Sequence, residues 1–547
     1  LTISQKRWLT ALWLLFIVSF ALLHTLHLSA DFPNHSPWYM DWAKYTDEGW
    51  YGNAAIRAHL FGNWYLAGDF NPAPAVPLWP FLEWLLFFFT GVSVEAARGL
   101  AIAFFCCNLL LSYLLLRTAG PRWIALMALT LIVTSPFLYC FSRLAILEPM
   151  LIALTLAALN LAVRLPRLRM PMLASVAIGV LFTLMLLTKT TAVFLLPALG
   201  WAMLVPLWRN RKLALRCALV AIGSFAATFG AWMGIIVHLG LYADYKYLFF
   251  VNKYIKPSEL TWPLVSLWWS FHGGLWVGRI LIPLAGLVTL VAIVAAIPGL
   301  FRSDSRLDPR GNWARKLLLD PVFGASILAV AGYILFMTYQ NHPQPRYFAV
   351  VALFCFLILA QGAGALLGQA ALANEGKLRR SLQWFLGWAV VSLAGLTAAF
   401  NGLQTLNYAA HPEYTFVDAA RRLTQYIDTH PNGNRLLLSI SGDQLTLVAH
   451  LPTICDDFGT QDLPEKMAHY QPGWWATWND IDPGTLSDIH EHFSLEQVAS
   501  FRAFDDPDRN VLVLFKLHPL AQGKERNQGD ENLQIPLPDD KIEIPVE

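Results

Sequence analysis

The sequence predicts a polytopic α-helical membrane protein with about eleven transmembrane helices, juxtamembrane helices in the first outer loop, and a small C-terminal α/β domain. Three observations predict it. The 547 residues are 56% hydrophobic and only 14% charged, with a mean hydropathy of +0.46, far from a soluble globular domain. Apolar runs able to cross about 30 Å of hydrocarbon recur along the first three quarters of the chain. The last quarter instead mixes helical and strand-like periodicities.

The first run, 8–30, follows Lys6 and Arg7 and ends in "LSA". It exceeds the roughly 7–15 residues of a signal-peptide core, which predicts an uncleaved first span. Further spans are expected near 98–116, 122–141, 149–163, 171–188, 190–208, 217–240, 280–301, 321–339, 347–372 and 382–402. The piece 78–91, "LWPFLEWLLFFFTG", is short, begins with proline-rich sequence and carries Glu83.

Basic residues decide its placement. If 78–91 lies along the surface, the N-terminus and five basic loops share one side: Arg117 and Arg122; Arg164, Arg167 and Arg169; Arg209, Arg211, Lys212 and Arg216; Arg302, Arg306, Arg310, Arg315 and Lys316; Lys377, Arg379 and Arg380. If it crosses, "RTAGPR" and "RLPRLRMP" fall outside, against the positive-inside rule. The non-crossing arrangement follows. It leaves 31–97, "FSRLAILEP", 241–279, "QNHPQPRYF" and everything beyond about residue 403 on the outer side.

The expected organisation is a membrane module over 1–403, including the first outer loop 31–97, an α/β domain over 410–520 and a disordered tail over 521–547. In the α/β domain a helical "YTFVDAARRLTQYIDTH" precedes the β-rich "RLLLSI", then "GDQLTLVAHL", the tryptophan-rich "PGWWATWNDI" and the strand-like "NVLVLFKL". The tail is rich in Gln, Asn, Asp, Glu and Pro. No internal repeat is visible.

Several classes are set aside. Net charge is +2 and the basic residues form no stripe, so no nucleic-acid partner is expected. The six cysteines make no CxxC pattern or disulfide framework. No Walker motif and no GxGxxG after a strand offers a nucleotide cradle. His35, His59 and Asp69 lie on the outer side without ligand spacing, so no metal is assigned.

Candidate chemistry collects on the outer side. In "WAKYTDEGWYGNAAIRAHLFGNW", Thr46 suits a helix cap and Asp47 and Glu48 fall in the first turn, with Tyr51, Ala54, Ala55, Ala58 and Phe61 forming an apolar face. Such acids can simply complement the helix dipole of a surface helix, or they can serve a site. Glu148 precedes Pro149 at a helix start, where an acid and a proline are both ordinary; its functional reading is a second carboxylate facing the same cavity as Asp47. Lys189 is the lone ionisable residue between Arg169 and Arg209, and must either snorkel or meet an anion. Arg346 with Tyr347 opens a late span, and Arg98, Arg143 and Arg279 lie at comparable depth. Lone interfacial arginines commonly anchor to headgroups. Cations converging with carboxylates suit sugar transfer from a lipid phosphate, the cations stabilising the leaving phosphate and a carboxylate taking the acceptor's proton.

This ordered set resembles the GT-C superfamily of membrane glycosyltransferases, in particular the branch of protein O-mannosyltransferases and lipid A aminoarabinose transferase. "TDEGWYGNAA" is similar to the family's first-loop Asp-Glu motif, followed by juxtamembrane helices and a proline-rich "PAVPLW". "SVEAARGLAI" is similar to the arginine-bearing segment of the second span, "SRLAILEPM" to the second acidic loop, "LLTKTTAVFLLPAL" to the Leu-Thr-Lys segment and "QPRYF" to the Arg-Tyr opening of a late span. The resemblance covers roughly residues 8 to 400. It implies a polyprenyl-phosphate-linked sugar as donor substrate, no certain cofactor, a glycan, lipid or protein acceptor, and a multi-pass bacterial inner-membrane enzyme with its C-terminal domain in the periplasm. It implies Asp47 as catalytic base or acceptor-orienting carboxylate, Glu48 as its support and Glu148 as second acid. Lys189, Arg346 and Tyr347 would hold the lipid phosphate, with Arg98 and Arg143 as further substrate-binding cations. Two positions depart: Glu148 stands where the aminoarabinose branch has Asp, and "NPAP" with Asn71 replaces that branch's lysine before the first-loop proline.

Two rivals come from other classes. A secondary transporter would use Asp47, Glu148 and Lys189 as an ion or substrate relay, but such folds tend to show repeats and midplane charges. A binding or assembly factor would act through its outer domain and tolerate Asp47→Asn.

Overall fold

The computed structural model describes residues 3–251, 280–297, 313–339, 344–372 and 377–520. The tail 521–547, Arg279 and the arginines at 302, 306 and 310 lie outside the described residues. In chain order the helices begin with α1 (Ile3–Leu23), α2 (Asp47–Phe61), α3 (Leu78–Thr90), α4 (Val94–Ala119), α5 (Arg122–Val133), α6 (Pro136–Ser142), α7 (Glu148–Ala162), α8 (Pro171–Leu186), α9 (Leu196–Leu204), α10 (Arg211–His238) and α11 (Tyr242–Lys246). There follow α12 (Leu281–Ala296), α13 (Trp313–Leu318), α14 (Pro321–Tyr339), α15 (Phe348–Leu372), α16 (Lys377–Ala410) and α17 (Thr415–Thr429). The chain then alternates through β1 (Leu437–Leu438), α18 (Gly442–Ala449), β2 (Thr453–Ile454), α19 (Leu463–Tyr470), β3 (Trp474–Trp478), α20 (Pro483–His490), β4 (Phe493–Arg502) and β5 (Val511–Pro519).

Two compact units result. One comprises Leu1–Leu26, Gly99–Gly240 and Phe249–His411; the other comprises His27–Arg98, Leu241–Leu248 and the chain from Pro412 onward.

The first unit is a helical membrane body. Its outward faces carry large apolar side chains, among them Leu15 and Leu22 of α1, Leu215 and Ile222 of α10, and Phe385 and Phe400 of α16. Lipid is the solvent for such faces. α15 is enclosed instead, with every residue from Phe348 to Ala360 buried, between α14, α16, α12 and α5. Polar contacts join α8 to α10, where the Thr183 and Thr228 hydroxyls lie 2.6 Å apart and Ser224 donates to the Val176 carbonyl at 3.1 Å. α5 and α6 meet at a 68° bend, because Ser135 caps α6 through the Leu138 amide and Pro136 cannot continue α5.

Among the described residues six helices are long and apolar enough to cross a membrane, or seven if the bent α5–α6 pair is one span. The other apolar runs form helices of 10–17 residues, so helix length alone does not fix the eleven expected crossings. α3 has 13 residues and spans only about 20 Å, too short to cross unaided.

The second unit is α/β. Its five strands run in the order β2-β1-β3-β5-β4, parallel through β2, β1 and β3 and antiparallel from β3 to β5 and β4. β3 alternates between two cores: Trp474 and Trp478 pack with Phe416, Leu423, Phe501 and Leu514, while Trp475 packs with Met467, Phe493 and Phe515. The tryptophans of "GWWATW" are therefore core residues, at most 2% exposed, and offer no face to a sugar. "GDQLTLVAHL" supplies the helix α18, and only Leu437 and Leu438 of "RLLLSI" pair as a strand.

The segment His27–Arg98 belongs to this same unit. Tyr45 lies in the core with Trp478 and Phe504, and its hydroxyl bonds the Asp506 carboxylate. Asp31 accepts hydrogen bonds from Phe416 N (2.7 Å) and Val417 N (3.3 Å), satisfying the open N-terminus of α17.

Candidate functional site

In the second unit the acidic pair lies in the first turn of α2. Asp47 is 2% and Glu48 0% exposed, so α2 is not the membrane-surface helix its dipole-and-face pattern also allowed. Gly49, Gly52, Asn53 and Arg57 are buried along it, under α18 and α3. Thr46 occupies the cap position but makes no cap bond. Its hydroxyl lies 3.1 Å from both the Trp42 carbonyl and Asp47 Oδ1 and, having one proton, donates to one at a time.

Glu48 forms a bidentate pair with Arg98, at 2.6 Å to Nε and 2.7 Å to Nη2. Arg98 Nη1 donates to the carbonyls of Leu28 (2.7 Å) and Ala30 (2.5 Å). The expected substrate-binding role of Arg98 thus meets a different arrangement, in which its planar fork fixes Glu48 and the preceding loop. Gln444 of α18 also reaches the pair, donating to Glu48 Oε2 at 3.0 Å and accepting from Gly49 N at 2.9 Å.

Against α2 lies Glu83 of α3, fully buried beside the Trp79 indole. Its Oε2 would sit 2.2 Å from a Cβ placed on Gly52. Burial pushes its pKa well above the ordinary value; the Trp79 indole opposes this, and Glu48 adds to it. Farther along α2, Arg57 bridges Asp69 (2.8 Å) and Asp443 (2.9 Å), and Lys466 lies 3.8 Å from Asp69. Burial raises the Asp443 pKa to about 6 against the pull of Arg57.

The first unit holds the other cluster. Glu148 is the first residue of α7, where the helix dipole favours an acid. Lys189 stands in extended conformation just beyond α8, and its ammonium bonds Glu148 Oε1. Arg346 Nε lies 4.0 Å from the same oxygen, carried on the short 3-10 turn Pro345–Tyr347. The Tyr347 ring lies under both cations, 4.8 Å from Lys189 Nζ and 5.0 Å from the Arg346 guanidinium carbon. Glu148, Lys189, Arg346 and Tyr347 are at most 7% exposed. Lys189 does not snorkel; it meets an anion.

Arg143 stands apart in its contacts, donating to the Tyr139 hydroxyl and the Leu26 carbonyl at 2.5 Å each. His35 pairs with Glu413, His59 with the Trp84 carbonyl and Asp69 with Arg57. Asn71 bonds the carbonyls of Leu66 (2.7 Å) and Asp69 (3.0 Å) and Asp244 Oδ1 (3.2 Å), a loop-shaping set. Sequence reasoning missed Gln444, Asp443 and Arg57, whose roles follow from contacts made hundreds of residues apart. Glu83 carried a signal, an acid inside an apolar run.

No protein-family model matches the sequence, and no curated protein sequence matches it. Solved structures do. The crystal structure of ArnT from Cupriavidus metallidurans bound to undecaprenyl phosphate is similar over 92% of this chain and 98% of its own, at 14% identity and a TM-score of 0.56. The apo state of the same protein has the same coverage and identity with a TM-score of 0.54. The archaeal oligosaccharyltransferase AglB from Archaeoglobus fulgidus covers 97% of this chain and 76% of its own, at 12% identity and a TM-score of 0.49. The likeness to ArnT runs through the membrane body and the α/β part together. The fold of this chain is that of the GT-C membrane glycosyltransferases.

Proposed function

We propose that this protein transfers a sugar from a polyprenyl-phosphate donor to an acceptor hydroxyl or phosphate group at the periplasmic face of the membrane. The observation that carries this is the buried Glu148–Lys189–Arg346–Tyr347 cluster, two cations brought to one carboxylate in a chain whose fold matches a protein solved with undecaprenyl phosphate. Lys189 and Arg346 would hold the lipid phosphate. As the acceptor oxygen attacks the anomeric carbon, the bond from that carbon to the phosphate oxygen breaks and the phosphate keeps the electron pair. Charge grows on the phosphate, where fixed cations stabilise it most. The acceptor's proton passes to Asp47, whose carboxylate is the assigned base, and Glu48 with Arg98 holds the turn that carries it.

The test uses purified protein in lipid with a panel of polyprenyl-phosphate sugars and an envelope acceptor fraction. Wild-type protein is expected to release polyprenyl phosphate from one donor class, and Asp47→Asn to lose about 100-fold or more of that rate while keeping its melting temperature. Wild-type turnover by the variant removes Asp47 as base. Failure of folded, donor-supplied wild type to release lipid phosphate overturns the transferase assignment.

A further inference from the structure

We infer that Gln444 of the C-terminal α/β part is a positioning residue for the Asp47–Glu48 pair, so that the outer domain completes the first-loop site. The inference rests on the transferase assignment for its activity readout and on geometry alone for its second readout.

The first turn of α2 has a defect that its own sequence does not repair. Thr46 makes no side-chain cap bond, which leaves the helix's opening amides to find other acceptors. Gln444 Oε1 takes one of them, Gly49 N, at 2.9 Å. Its Nε2 donates to Glu48 Oε2 at 3.0 Å. A primary amide can accept from a backbone N–H through its oxygen and donate to a carboxylate through its nitrogen at once. One residue of α18 therefore pins both the amide and the carboxylate that follow Asp47. Gln444 is 1% exposed, so water does not compete for either bond.

The approach is built in. A Cβ on Gly49 would lie 2.1 Å from the Asp443 carbonyl carbon and 2.2 Å from Gln444 N, so glycine is what lets α18 reach this turn. Asp443 continues the grip, accepting from Asn53 at 3.2 Å and Arg57 at 2.9 Å. The dipeptide Asp443–Gln444 thus holds α2 at three of its turns. Arg98 fixes the Glu48 carboxylate from the side of the preceding loop, whereas Gln444 also takes the Gly49 amide. The amide adds the second constraint.

The experiment compares Gln444→Glu and Gln444→Met with wild type across pH, in the donor-release assay and by hydrogen exchange of the peptide containing Gly49. Gln444→Met removes both bonds and is expected to lower kcat about 10- to 100-fold, with KM for donor unchanged, and to speed exchange at Gly49. Gln444→Glu sets an acid beside Glu48. Protonated, it reproduces the amide pattern, accepting from Gly49 and donating to Glu48; ionised, it repels Glu48 and cannot donate. Its rate relative to wild type should rise as pH falls, whereas the Met variant's ratio stays flat. A merely structural role gives neither the kcat-specific loss nor this acid rescue. Wild-type kcat in Gln444→Met, or a pH-independent ratio in Gln444→Glu, overturns the inference. If wild type releases no lipid phosphate, the transferase assignment fails, and unchanged exchange at Gly49 still overturns the positioning role by itself. If Gln444→Met does not fold, the Gln444→Glu ratio decides.

Discussion

Glu148 carries the opposed demands of its cluster, since it is buried with Lys189 bonded to it and Arg346 4.0 Å away. Removing one member of such a set leaves a charge stranded in low dielectric, at a cost of about 3–5 kcal/mol. Lys189→Ala and Arg346→Ala are each expected to raise KM for donor lipid more than they lower kcat. Unchanged donor dependence in both variants, measured by initial rates, removes them from the phosphate site. Glu83 poses the reverse case. Its native pKa lies above the ordinary 4.5, so the native state holds a proton that the unfolded state releases. Stability from this group is present below that ordinary value and falls as pH rises toward the native value. Glu83→Gln keeps the neutral shape without this loss. Its melting temperature should exceed that of wild type at neutral pH and converge with it near pH 4; equal values at both pH values reject a protonated Glu83.

At the scale of elements, α2 is the piece on which the second-unit site depends. Glycines at 49 and 52 bring it against α18 and Glu83, respectively. Gly49→Ala must push aside the Asp443 backbone, which has no flexible end to yield. The expected loss is about 1–3 kcal/mol of stability, read by thermal unfolding, together with a fall in activity that Gly234→Ala, at an exposed glycine with open space for a Cβ, does not cause. A variant as stable and active as wild type would show that α18 can withdraw without consequence. α3 is two-sided: Trp79, Glu83 and Phe87 are buried while Phe81, Trp84, Phe88 and Phe89 are exposed. One face suits protein and the other suits the lipid interface.

For the whole molecule, the segment His27–Arg98 and the chain beyond Pro412 form one unit with a shared core. That union requires both segments to fold on the same side of the membrane. Under the proposed eleven-span topology a reporter fused after residue 410 should read as periplasmic, and a cytoplasmic signal would overturn both that topology and the assignment of this face.

The sequence by itself determined the membrane class and the helices that carry the apolar runs, and it singled out Asp47, Glu48, Glu148, Lys189 and Arg346 as candidates. Those features are local: hydrophobic run length, charge bias and an ionisable group in apolar surroundings each cost free energy wherever the chain goes. Lys189 illustrates the limit, because a buried lysine announces the need for an anion without naming Glu148. Tertiary structure alone decided the partners. It turned Arg98 toward Glu48, put the "GWWATW" tryptophans in the core, made a helix of "GDQLTLVA" and brought Gln444 to Gly49. These outcomes depend on contacts between segments far apart in the chain, 50 residues for Glu48 and Arg98 and 395 for Gly49 and Gln444, whose energies arise only after the chain has closed upon itself, and no local periodicity encodes which donor will meet which acceptor.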